Sequence, residues 1–173
     1  MSERLTAVIQ TMRPPFLLLT PACVSVGIGS ASLAGPVDWT LALVVLLGAL
    51  CAHISVNMLN EFHDFKSGLD EQTVRTPFSG GSGALPAQPQ ALNTVLAGGL
   101  LALAITLALG LYFISLRGVA LLPLGVLGAL IIVTYTQWLN RMPFMCLIAP
   151  GLGFGPLMIV GTHLVLTGHH STF

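Results

Sequence analysis

The sequence predicts an all-α protein, a polytopic bundle of about five transmembrane helices, and three observations support this fold class. Only 12 of the 173 residues are Asp, Glu, Lys or Arg, whereas such residues make up about a quarter of an ordinary soluble domain. Apolar residues account for 54% of the chain, and the mean hydropathy is +0.90. The few charges leave five uncharged runs, each long enough for the roughly 20 apolar residues that cross a bilayer core.

Each uncharged run predicts one membrane-spanning helix. The predicted helices lie near residues 16–35, 39–60, 91–114, 118–138 and 144–167. Residues 61–90 contain the largest group of charges and then a stretch rich in Gly, Ser and Pro, which predicts a connecting loop. The first apolar stretch is longer than the roughly 7–15 apolar residues of a signal peptide, so we expect a retained helix. Residues 1–173 are therefore interpreted as one structural unit.

Other classes of protein fit the sequence less well. A soluble helical bundle would need polar helix faces, and the predicted spans show no such periodicity. A transmembrane β-barrel alternates apolar and polar residues, and these runs do not. The formal net charge is zero, and a nucleic-acid-binding protein would instead carry a basic face. An integral membrane protein of a bacterial-type inner membrane is the interpretation that remains.

The positive charges predict the orientation, because Lys and Arg are enriched in cytoplasmic loops. With a cytoplasmic N-terminus, the motif loop at residues 61–90 is also cytoplasmic, and Arg117 alone falls on the other side. The Lys and Arg residues predicted on the cytoplasmic side are Arg4, Arg13, Lys66, Arg75 and Arg141.

Half of the charged residues lie between Glu61 and Arg75, and this island starts inside the second predicted span. A stripe of polar residues leads into it with spacings of three or four, so its members share one helix face. These residues are His53, Asn57, Asn60, Glu61 and Asp64. Such a stripe is costly to expose to lipid and should face the bundle interior or an aqueous cavity. Carboxylate and amide oxygens suit Mg²⁺, which typically takes one or two protein carboxylates together with water and phosphate oxygens.

Several interpretations of the island remain open on these grounds. The island could be a solvated loop, or the stripe could bind a cation in a small membrane transporter or channel subunit. The Gly- and Ser-rich stretch that follows could be a flexible linker, or its backbone N–H groups could face an anion, with Arg75 as a bidentate clamp. For His53 we expect a hydrogen-bonded residue of the bundle rather than a catalytic one.

At this point the residues resemble a known family. The segment from Asn60 to Asp70, Asn-Glu-Phe-His-Asp-Phe-Lys-Ser-Gly-Leu-Asp, resembles the first aspartate-rich motif of the UbiA-type intramembrane aromatic prenyltransferases. The closest likeness is to the branch that prenylates 1,4-dihydroxy-2-naphthoate in menaquinone biosynthesis. Further matching segments follow the order of the family along the chain. They are Arg13-Pro14, Thr76–Ser82, Tyr135-Thr136, Gly155-Pro156 and Gly161-Thr162.

The resemblance implies a fold, an activity and a set of site residues. The activity is Mg²⁺-dependent transfer of a polyprenyl group from an isoprenyl diphosphate to an aromatic acceptor, with Mg²⁺ as the cofactor and the lipid bilayer as the surroundings. The resemblance assigns the catalytic role to Asn60 and Asp64. By position it implies metal ligands at Asn60, Glu61, Asp64 and Asp70, diphosphate contacts at Lys66 and Arg75, and a pocket wall at Asn57 and His53.

Two departures from the family pattern qualify what the resemblance implies. Glu61 stands where the family usually has Asp, which keeps the charge and adds one methylene group. Family members have nine transmembrane helices and a second aspartate-rich motif near the sixth helix, and this chain resembles the N-terminal half of such a fold. Since half of the usual metal site would then be missing, we expect the 173-residue chain to have little or no transferase activity by itself.

Overall fold

A computed structural model describes residues 2–69, 76, 80–139 and 142–169, and every regular element within them is a helix. The α-helices are α1 (Glu3–Thr11), α2 (Pro14–Leu17), α3 (Leu19–Ala34), α4 (Trp39–Lys66), α5 (Ala84–Ala87), α6 (Leu92–Arg117), α7 (Leu122–Gln137), α8 (Pro143–Leu152) and α9 (Met158–Thr167). Short 3₁₀ turns at Pro89–Ala91 and Val119–Leu121 precede α6 and α7, and a π-helix at Gly153–Leu157 joins α8 to α9.

The helices have the length and composition of membrane spans. Four helical stretches are long and apolar enough to cross a membrane, and a fifth, Val119–Tyr135, is apolar but shorter. The four stretches are Glu3–Ala34, Trp39–Lys66, Pro89–Arg117 and Pro143–Thr167. Many large apolar side chains point outwards, including Leu33 and Leu147, which are both 76% exposed. Such a surface is stable in lipid, so the prediction of an all-α membrane protein is confirmed.

The helix bounds differ from the predicted ones near the charged island. Asp38 caps the start of α4, because its carboxylate accepts a hydrogen bond of 3.0 Å from the backbone N–H of Leu41. At its other end α4 continues to Lys66, six residues past the predicted boundary. Glu61 and Asp64 therefore lie on a rigid helix rather than in a loop.

Close helix packing relies on glycine. In α6, a Cβ atom at Gly98 would lie 2.5 Å from the side chain of Met58 in α4. In α3, a Cβ atom at Gly27 would lie 2.6 Å from the side chain of Thr162 in α9. Small residues let helix backbones approach closely, which is a main source of association energy between membrane helices. The first contact joins α6 to α4, and the second joins α3 to α9.

Candidate active site

The polar stripe lies along one face of α4. At about 100° per residue, His53, Asn57, Asn60 and Asp64 fall within an arc of roughly 60°. His53 and Asp64 are buried, while Asn57 and Asn60 are half-buried. The stripe thus faces the bundle and not the lipid, in the arrangement expected for intramembrane polar residues.

Asn60 and Asp64 form the pair at the end of this stripe. The side-chain amide of Asn60 donates a hydrogen bond of 2.6 Å to Oδ2 of Asp64, one helical turn further on. An amide and a carboxylate therefore lie together at this end of the bundle. Tyr135, near the end of α7, has its hydroxyl 3.7 Å from Sγ of Cys146.

Glu61 lies beside this pair and is almost completely buried, with 1% of its surface exposed. Its Oε1 accepts hydrogen bonds from Nε and Nη2 of Arg13, at 2.8 and 2.6 Å, and from the backbone N–H of Ser82 at 2.7 Å. Its Oε2 accepts from the hydroxyl of Ser82, also at 2.7 Å. Glu61 thus joins α4 to the segment between α1 and α2 and to the loop before α5.

Arg13 has an unusual backbone conformation. It lies between α1 and α2 with φ of 54° and ψ of 61°, and within the described ranges it is the only residue other than glycine with positive φ. Left-handed backbone is costly for a residue with a side chain and persists where the surroundings impose it. A second contact helps to impose it here, because the amide of Asn57 donates 2.9 Å to the carbonyl oxygen of the preceding Met12.

The loop that contains Ser82 is shaped by glycine. Gly80, Gly81 and Gly83 have φ values of 85°, 75° and 74°, a region that glycine adopts without steric cost. This path turns both the backbone N–H and the hydroxyl of Ser82 towards Glu61. The same hydroxyl accepts a hydrogen bond of 3.1 Å from the N–H of Ala84, at the start of α5.

His53 lies deeper in the bundle and is hydrogen-bonded there, as expected. The hydroxyl of Thr20 in α3 is 2.8 Å from Nδ1 of His53. The ring of Phe154, in the π-helix, meets the imidazole edge-on with 4.6 Å between centroids. Helices α3 and α4 and the π-helix therefore meet around His53, at the buried end of the stripe. The pocket role of His53 and Asn57 stays a prediction.

Of the remaining predicted residues, Lys66 is not brought into this arrangement. Lys66 is exposed and, two residues after Asp64, lies about 200° further around the helix. Asp70 and Arg75 lie outside the described residues. Their metal and diphosphate roles stay predictions.

Sequence reasoning did not assign Arg13 or Ser82 to the site. The usable signals were the segments Arg13-Pro14 and Thr76–Ser82, which match the family and contain these two residues.

The described residues fit Mg²⁺ in one specific way. Within residues 2–69, 76, 80–139 and 142–169, no group of three His, Cys, Asp or Glu side chains could hold a metal ion. Asp64 and Asn60 offer one carboxylate and one amide. Mg²⁺ commonly binds through one or two carboxylates and completes its shell with water and substrate phosphates. The pair therefore suits a metal ion that arrives with a phosphate-containing ligand.

The fold and this site define a multi-pass integral membrane protein with a buried polar site at one end of its bundle. The model of the UbiA prenyltransferase family matches residues 18–173, and the chain belongs to that family. The match includes the whole stripe and Ser82 but begins after Arg13. No curated protein and no solved structure matches the chain. Membership implies a prenyltransferase that uses prenyl diphosphate and aromatic substrates, in agreement with the resemblance drawn from the motif.

Proposed function

We propose that this protein is a Mg²⁺-dependent transferase that moves a polyprenyl group from an isoprenyl diphosphate to an aromatic acceptor. The observation that carries the proposal is the Asn60–Asp64 pair, with 2.6 Å between amide nitrogen and carboxylate oxygen. The pair lies at the end of an apolar helix in a chain of the UbiA family. A diphosphate bound there would have its isoprenyl tail among apolar side chains and its charged head at the membrane surface.

In this proposal Asn60 and Asp64 hold the metal ion and so position the diphosphate. A bound Mg²⁺ neutralises negative charge that develops on a leaving diphosphate. Asp70, Lys66 and Arg75 follow Asp64 in the chain, and they are proposed to assist the metal ion and the diphosphate. Asn57 and His53 continue the stripe inwards and are proposed as the wall of the pocket.

The proposed acceptor is 1,4-dihydroxy-2-naphthoate, which would place the reaction in menaquinone biosynthesis. The allylic C–O bond of the donor breaks, and its electron pair leaves with diphosphate. A C–C bond then forms at the ring carbon that bears the carboxylate. The carboxylate leaves as CO₂ and returns its bonding electrons to the ring. The basic residues near α1 and the end of α4 favour a cytoplasmic location for the site.

Equilibrium binding of labelled farnesyl diphosphate to the purified chain tests the proposal. We expect binding that requires Mg²⁺ and that Asp64→Asn weakens at least about tenfold, since it removes the carboxylate of the Asn60–Asp64 pair. Asp38→Asn is the matched control, because it makes the same chemical change at the opposite end of α4. Farnesyl diphosphate binding without Mg²⁺, or equal binding by the Asp64→Asn and Asp38→Asn variants, would contradict the proposal.

The acceptor is tested separately in membranes that contain the chain. Product formation with 1,4-dihydroxy-2-naphthoate and not with 4-hydroxybenzoate would support the menaquinone branch. The reverse preference would reject that branch and leave the donor site unaffected.

A further inference from the structure

We infer that Glu61 is a positioning residue that fastens Arg13 and Ser82 to α4, and that it is not a ligand of the metal ion. The inference rests on the proposed function, because it divides the acidic residues of the motif into two roles. Asp64 binds the metal ion, and Glu61 holds Arg13 and Ser82 in position beside the metal site. It revises the metal role that the motif alone implies for Glu61.

The first argument is that the carboxylate of Glu61 is already committed. A carboxylate offers about four lone-pair directions, and Glu61 accepts four hydrogen bonds from two residues, three at Oε1 and one at Oε2. Glu61 is 1% exposed, so no water could replace a lost donor without opening the site. A metal ion would have to displace these donors and sit beside the guanidinium cation of Arg13, only 2.6 Å from Oε1.

The second argument concerns direction. Asn60 and Asp64 are separated by four residues and lie about 40° apart around α4, while Glu61 is about 60° from Asp64 and about 100° from Asn60. The Glu61 side chain therefore leaves the helix on the flank of the pair. There it accepts hydrogen bonds from both Arg13 and Ser82.

The third argument explains why this chain has Glu where its family usually has Asp. One methylene group lengthens a side chain by about 1.5 Å. The four hydrogen bonds that Glu61 accepts from Arg13 and Ser82 measure between 2.6 and 2.8 Å. A shorter Asp at this position could not keep Arg13 and Ser82 within hydrogen-bonding distance unless α4 or the loop moved. The longer side chain of Glu61 thus lets it reach both Arg13 and Ser82.

The contacts of Glu61 with Arg13 and Ser82 would enclose the Asn60–Asp64 pair. Arg13 keeps its left-handed backbone, and the Gly80–Gly83 loop is drawn against α4. Loss of Glu61 should loosen both segments together, although they are almost 70 residues apart in sequence. Farnesyl diphosphate would then bind less tightly, while the affinity of the Asn60–Asp64 pair for the metal ion would be unchanged.

Hydrogen–deuterium exchange on the full chain in lipid nanodiscs tests the anchoring without any ligand. The variants are Glu61→Asp, which keeps the charge and loses reach, and Glu61→Gln, which keeps reach and loses charge. We expect the backbone amides of residues 80–85 and 11–13 to exchange at least about tenfold faster in Glu61→Asp and measurably faster in Glu61→Gln. Asp38→Asn should leave both segments as in the wild type. Unchanged exchange in Glu61→Asp would overturn the inference.

A second measurement separates positioning from metal binding. Farnesyl diphosphate binding is titrated with Mg²⁺, and the midpoint in Mg²⁺ is compared among variants. Asp64→Asn should raise that midpoint about tenfold or more, whereas Glu61→Gln should weaken farnesyl diphosphate binding and keep the Mg²⁺ midpoint within about twofold of wild type. An equal rise in the midpoint for both variants would overturn the inference. If the wild-type chain binds no farnesyl diphosphate, the proposed function fails, and the exchange result alone decides the role of Glu61.

Discussion

The guanidinium of Arg13 donates two hydrogen bonds to one oxygen of Glu61, at 2.6 and 2.8 Å, across 48 residues of sequence. The side chain of Arg13 is 24% exposed, and that of Glu61 is fully buried. The two partners therefore differ in what their loss would cost. Removing Arg13 leaves a buried carboxylate without its counter-charge, and the hydrogen bonds from Ser82 compensate only part of that charge.

Arg13→Ala should lower the free energy of unfolding by about 2–4 kcal/mol. The value is below the full cost of breaking a buried pair because Arg13 is partly solvated. Unfolding in mixed micelles with increasing SDS measures the difference. Arg4→Ala is the matched control, since Arg4 is exposed and bonds to Thr94, and it should stay close to wild type. Equal stability of the two variants would show that the ion pair is energetically neutral.

Gly27→Ala should destabilise the bundle, whereas Gly29→Ala on the same helix should not. A Cβ atom at Gly27 would lie 2.6 Å from the side chain of Thr162 and 2.8 Å from the carbonyl oxygen of Ile159, while Gly29 has open space. Overpacking of this kind costs about 1–3 kcal/mol. The same SDS titration compares the two variants. A loss of stability for Gly29→Ala that matches that of Gly27→Ala would refute the close α3–α9 contact.

The pair of Thr20 and His53 should show a measurable coupling energy. Their hydrogen bond of 2.8 Å lies inside the membrane-spanning part, where such side-chain bonds contribute about 0.6 and at most about 1.7 kcal/mol. A double-mutant cycle with Thr20→Val and His53→Phe, read by SDS unfolding, measures the coupling. Additive effects would mean that the two side chains do not support each other in the folded protein.

The membrane-spanning helices could be predicted from the sequence, because long uncharged apolar runs identify them. The uncharged runs located α3, α4, α6 and the stretch from α8 to α9, and the polar spacing placed His53 and Asp64 on one helix face. The Arg13–Glu61 pair could not be predicted, since no local pattern connects residues 48 positions apart. The predicted span ended at residue 60, because it was drawn at the first charge, although the polar spacing already carried the helix to Asp64; α4 ends at Lys66.

Arg117 should secure the end of α9 on the side of the bundle opposite the site. Its Nε and Nη2 donate to the carbonyl oxygens of Val165 and Leu166, at 2.7 and 2.9 Å, which are among the terminal carbonyls that a helix leaves without internal partners. Arg117→Leu should cost about 1–2 kcal/mol and raise amide exchange around Gly168. Arg117→Lys keeps the charge but not the fork of donors, and an intermediate effect is expected. Wild-type exchange in Arg117→Leu would exclude the cap.

The π-helix at Gly153–Leu157 has a consequence for the phase of the last transmembrane segment. A π-turn corresponds to one inserted residue in an α-helix, and one residue amounts to a rotation of about 100°. The insertion thus lets Phe154 meet His53 while Thr162 still meets Gly27 and His163 still meets Ser30, whose hydroxyl is 3.0 Å from its Nδ1. Deleting Gly155 would remove the inserted residue and force a choice between the two sets of contacts. One wide turn therefore keeps the two halves of this segment in register with different neighbours.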